Sequence, residues 1–147
     1  MKPLVRVIAI CTALLLGACG KEPQKPADAE DVQREARELA ETLRSYGAEQ
    51  KEQALEEAQR AAAELNERIE RVRVRAAERW AEMDAAARQR ALEQLEELEE
   101  EQAELAERFD ALRRASGDAW DRVRDGFTEA YAELREAWQE TDEAVPE

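Results

Sequence analysis

An all-α fold, an elongated helical bundle or coiled coil, is what this 147-residue sequence predicts, and three observations carry the prediction. Charged residues make up 39% of the chain and aromatics only 5%, with Ala, Glu, Arg and Leu dominant, the composition of long helices rather than of a thick globular core. Proline is absent between Pro26 and Pro146, and nothing in that stretch alternates as a half-buried strand would. Third, apolar residues recur with an eleven-residue period, so burial is expected along a thin seam of each helix.

The repeat is clearest from Ala58 onward, where successive blocks read AQRAAAELNER, IERVRVRAAER, WAEMDAAARQR and ALEQLEELEEE. One seam position is Ala58, Ile69, Trp80 and Ala91; the next is Ala61, Val72, Met83 and Gln94; the third is Leu65, Ala76, Ala87 and Leu98. Arg68, Arg79 and Arg90 recur at the block ends and are expected on the opposite, solvated side. Eleven residues over three turns is slightly more than the helix's own period, so the seam runs nearly straight or gently right-handed. The series continue through Leu105, Phe109, Trp120, Phe127, Tyr131 and Trp138, and a heptad phase also fits Leu95, Leu98, Gln102, Leu105, Phe109 and Leu112.

The helices follow from their ends. Asp28 is a candidate N-cap with Glu30 and Asp31 behind it, so a first helix is expected over 29–46, ending at Tyr46-Gly47. A long central helix is expected over 48–114. Arg113 and Arg114 suit a helix C-terminus, Gly117 a C-terminal cap, and Asp118 the cap of a last helix over 118–143. The seam keeps its register across Ser116-Gly117, which argues the other way, but the capping residues favour a break. Uninterrupted, residues 29–114 would extend about 130 Å, leaving the seam wet unless the chain folds back, oligomerises or lies on something apolar. Residues 144–147 are expected to fray.

The amino terminus has a different character. Lys2 and Arg6 precede an apolar run from Val7 to Leu16, shorter than the roughly 20 residues a spanning helix needs but suited to a secretory leader. The run closes on Leu16-Gly17-Ala18-Cys19, which resembles the lipobox of bacterial lipoproteins. That resemblance implies cleavage between Ala18 and Cys19, removal of residues 1–18 and acylation of Cys19. Residues 19–28, with Pro23 and Pro26, then read as a tether, and 29–143 as the helical domain. Gly20 after the cysteine favours the outer membrane, facing the periplasm, if enterobacterial sorting applies. Cys11 leaves with the leader, so no disulfide forms in the mature chain.

Composition also excludes functions. The chain has 36 acids, 22 bases and no histidine. Loss of Lys2 and Arg6 leaves 20 bases and a net charge near −16. Nucleic acid, which demands basic patches, is therefore not an expected partner. Histidine-dependent triads are ruled out, Ser45 and Ser116 have no activating base, and there is no phosphate loop and no Cys/His metal spacing. No catalytic residue, small-molecule substrate, cofactor or metal is expected. Glu96, Glu97, Glu99, Glu100 and Glu101 are read as a solvated face rather than a cation site. Trp120, Val123, Phe127, Tyr131, Leu134 and Trp138 fall on one helical face, expected to pack as core near Trp80 or Phe109; the alternative is a face that engages a lipid surface.

Residues 112–138, with the box Ala115-Ser116-Gly117-Asp118-Ala119-Trp120, resemble a bacterial family of small Ala/Glu-rich helical proteins, some described as stress-induced. The family brings no catalytic residue to carry over. The eleven-residue period is similar to that of exchangeable apolipoproteins, although this seam is Ala-rich and should hold lipid weakly. The small helical lipoprotein that links outer membrane to cell wall needs a terminal lysine, whereas this sequence has none after Lys51. The expected function is a non-enzymatic, lipid-anchored envelope scaffold, spacer or interaction module. It would be held to membrane through Cys19 and engage a protein partner or itself through its helices.

Overall fold

The computed structural model describes residues 29–147, which form four α-helices: α1 (Ala29–Arg44), α2 (Lys51–Arg79), α3 (Ala85–Arg114) and α4 (Trp120–Ala144). Short 3₁₀ turns at Ala48–Gln50 and Gly117–Ala119 lead into α2 and α4. The all-α class holds. Asp28, the expected first cap, lies outside the described residues, as do the leader and the tether.

The helices run up, down, up and down. Glu35 of α1 meets Arg68 of α2, and Asn66 of α2 meets Gln102 of α3. Phe109 of α3 packs on Phe127 of α4, and Arg44 of α1 lies by Asp125 of α4. Each helix is thus antiparallel to its chain neighbours, and α4 closes the ring against α1. Two bonds tie both loops at one end: Lys51 Nζ donates to the Ala115 carbonyl (2.9 Å) and Trp120 Nε1 to the Tyr46 carbonyl (3.0 Å).

The long central helix over 48–114 does not exist; the chain turns back on itself between Trp80 and Asp84. Neither glycine nor proline makes this turn. The Arg79 carbonyl accepts from the Glu82 and Met83 amides, and Asp84, in extended backbone, accepts the Ala87 amide on its carboxylate at 2.7 Å. Arg88 folds over the tip, its guanidinium donating to the Trp80 carbonyl (2.9 Å) and stacking on the Trp80 ring. Met83 seals the end from inside. The hairpin wins because a single helix would leave the seams of both arms in water, whereas doubling back buries each against the other and against α4.

The apolar positions stay inside on both sides of the turn. All twelve positions of the three series between Ala58 and Leu98 are buried or half-buried, on both arms of the hairpin. Of the recurring arginines, Arg90 is exposed, but Arg79 and Arg68 are half-buried, Arg68 because it reaches around to α1 and α4.

A break near Ser116 is present, though its chemistry differs from the cap expected. Ala115 and Ser116 are extended and, among the described residues, none adopts positive φ, so Gly117 is not a left-handed cap. Gly117 and Asp118 lie inside the 3₁₀ turn, and α4 starts at Trp120 without a side-chain cap. Nor does the C-terminus fray throughout: Val145 is buried and its amide donates to the Thr141 carbonyl, while Pro146 and Glu147 are exposed.

Candidate functional site

The aromatic face of α4 lies inside the bundle. Trp120, Phe127, Tyr131 and Trp138 are buried, and Trp80 and Phe109 pack against the same core half-buried. Phe109 meets Phe127 edge to face at a ring separation of 6.1 Å. Trp80 is at the hairpin tip under Arg88. While the bundle is closed, this face is not presented to a lipid surface.

Among these aromatics sits a group that periodicity misses. Arg135 falls four residues after Tyr131 and three before Trp138, so it shares their face and is only 1% exposed. Its Nη1 donates to the Tyr131 hydroxyl (3.2 Å) and lies 2.5 Å from the Glu35 carboxylate of α1. The same Glu35 oxygen accepts from Arg68 Nη1 at 3.2 Å, and the Arg68 guanidinium lies over the Trp138 ring. One carboxylate therefore serves two guanidiniums at the junction of α1, α2 and α4, and Arg135 Nε and Nη2 have no acceptor among the described residues. The signal was available, since 131, 135 and 138 share one face, but charge reads as surface by default.

Acidic residues collect on the other side. Glu96, Glu97, Glu99 and Glu100 are exposed, while Glu101 is half-buried on α3, facing α4, with one carboxylate oxygen lacking a partner among the described residues. Burial, followed by repulsion from Glu133, Glu97, Glu104 and Glu100, holds the Glu101 pKa above the ordinary carboxylate value. Among the described residues, no group of three or more metal-ligating side chains converges.

Other features offer little chemistry. A shallow hollow of about 270 Å³ between α3 and α4 is lined by Arg90, Glu93, Gln94, Glu140, Glu143 and Ala144. The Ser45 hydroxyl donates to the Thr42 carbonyl, and Ser116 is exposed. Among the described residues, no helix is long and apolar enough to cross a membrane. Ala18 and Cys19, the expected cleavage and lipidation residues, lie outside the described residues. Comparison with protein-family models, with curated proteins and with solved structures finds no match to this chain.

Proposed function

We propose that this is a non-enzymatic, lipid-anchored protein of the bacterial envelope, whose helical bundle serves as a scaffold, spacer or interaction module. One structural observation supports the interaction role: apart from Val74 and Leu92, the large apolar side chains of the described residues lie inside the bundle or at its margin, and long, densely charged helix faces remain outside. Such a surface offers a partner of complementary charge a place to dock and, among the described residues, offers a substrate no enclosed apolar pocket. The eleven-residue pattern belongs to this reading, as the register on which α2 and α3 pack in coiled-coil fashion. The anchor rests on Leu16-Gly17-Ala18-Cys19, and the outer membrane on Gly20. A stress-related role follows from the resemblance of residues 112–138. Acylation of Cys19 alone attaches the protein, and partner or self-association takes place through the helices.

The test is metabolic labelling with radioactive palmitate, followed by membrane fractionation of the wild type and Cys19→Ser. The wild type is expected to incorporate label and sediment with membranes, and the variant to lose the label. Unlabelled wild-type protein would overturn the anchor.

A further inference from the structure

We propose that two copies of this chain exchange arms: the turn at residues 80–84 opens into continuous helix, and α1–α2 of each copy packs on α3–α4 of the other. The first ground is the chemistry of the turn. It holds no glycine and no proline, and among the described residues none adopts positive φ. The Met83 amide already donates to the Arg79 carbonyl and the Arg88 amide to the Asp84 carbonyl, each four residues back, as inside an α-helix. Asp84 has a helical φ of −72°, and its ψ of 171° departs from the helix. Two side chains hold the bend. Asp84 caps the Ala87 amide, and Arg88 donates to the Trp80 and Ala81 carbonyls, which in a continuous helix accept the Asp84 and Ala85 amides instead.

The second ground is register. Val72, Ala76, Met83 and Ala91 are buried and Trp80 and Ala87 half-buried, so the inward positions advance by four, four, three, four and four through the turn. That is the spacing of one unbroken helix, and opening keeps them on one face. Asn66 and Gln102, bonded across the hairpin at 2.8 Å, are 36 residues apart, about ten helical turns. They therefore share one side of the opened helix, the side on which an antiparallel second copy lies.

The third ground is symmetry. The Asn66–Gln102 bond and the stacking of Arg88 on Trp80 are both centred on position 84. Two opened helices laid antiparallel about a two-fold axis at Asp84 re-form each pair twice, between copies instead of within one. The remaining contacts between arms return in the same way: Glu35 with Arg135, Arg75 with Asp142, and the Tyr46 carbonyl with Trp120. Monomer and dimer then bury the same side chains, so the balance between them rests on the turn and on concentration.

The inference deepens the self-association named above and rests on that interaction role; it is independent of the anchor. The full chain is followed by light scattering in detergent, with micelles in large excess over protein, at rising protein concentration. The wild type is expected to pass from monomer to dimer. Asp84→Ala removes the cap and the two like charges that meet at the axis. At about fivefold per turn and two turns per dimer, its dissociation constant should fall about 25-fold. Ala85→Pro should abolish the dimer and leave the far-UV circular dichroism unchanged. Proline suits the first position of α3, behind an extended Asp84, but breaks a continuous helix there. A wild type that stays monomeric up to millimolar concentration would overturn the exchange and leave docking of other proteins standing. An unchanged dissociation constant in Asp84→Ala, or a dimer that persists in Ala85→Pro, would overturn it too, since the copies would then associate through their outer faces with the arms in place.

Discussion

Removing Glu35 should destabilise the protein far more than removing the arginine it pairs with. Glu35→Ala leaves Arg135, 1% exposed, with a single hydrogen bond to the Tyr131 hydroxyl and no countercharge. Breaking one side of a buried ion pair costs about 3–5 kcal/mol. The Glu35 side chain is 36% exposed, so water can follow its loss, and the lower end, about 3 kcal/mol, is expected. Arg135→Met behaves differently. Glu35 keeps Arg68 at 3.2 Å, and the flexible apolar side chain fills space among Tyr131 and Trp138, so the change should cost no more than about 1 kcal/mol.

Combining both substitutions should cost little more than Arg135→Met alone. The double-mutant cycle then returns a coupling of about 3 kcal/mol. Urea unfolding followed by far-UV circular dichroism measures all four proteins. If α1 leaves the groove in Glu35→Ala, the slope of the transition falls as well, because less surface remains to be exposed. Equal losses from the two single substitutions, or a Glu35→Ala cost below about 1 kcal/mol, would refute the assignment of Glu35 as the counterion of a buried charge.

Other consequences can be measured in the same way. Glu101 binds its proton more tightly in the folded state than its ordinary value near 4.5, so its contribution is favourable below that value and is lost as pH rises through the raised pKa. Glu101→Gln should therefore stabilise the bundle at neutral pH by about 0.5 kcal/mol, the scale of a like-charge helical pair, with the difference vanishing below pH 4.5; a pH-independent difference would contradict this. Asp84→Ala removes the cap on the Ala87 amide and should cost about 1 kcal/mol in urea unfolding. Leu98→Ala, at a fully buried seam position, should cost about 2–5 kcal/mol, whereas Leu92→Ala on the same helix, 52% exposed, should stay within about 0.5 kcal/mol.

The buried apolar positions and the aromatic face were legible because both depend on helical period alone. A residue at Ile69, Leu98 or Phe127 is apolar at the right spacing whether the helix continues or stops a few residues on. Interruptions at Tyr46-Gly47 and Ser116-Gly117 were legible too, through glycine's cost within a helix. Glycine's other property, freedom at positive φ, is not used at either place, and so the detailed cap at Gly117 was misread. Val145 was read as part of a frayed end because position in the chain says nothing of what the last turn packs against.

Two features were hidden for one physical reason: each depends on which helices meet, and a linear pattern does not encode that. Asp84 is an ordinary acid in a helical stretch until α2 and α3 have reason to pair, and its cap, worth about 1 kcal/mol, does not stop a helix unaided. The burial gained by doubling back supplies the rest, and Asp84 fixes where the turn falls. Arg135 likewise reads as solvent-facing until α1 lies across α4 and brings Glu35 to it. Asp84 marks where the hairpin turns and the Glu35–Arg135 pair where α1 is held, although none of the three belongs to the apolar pattern. Substitutions that preserve the buried apolar positions but alter Asp84 or Glu35 should therefore keep the helices and weaken what holds them together.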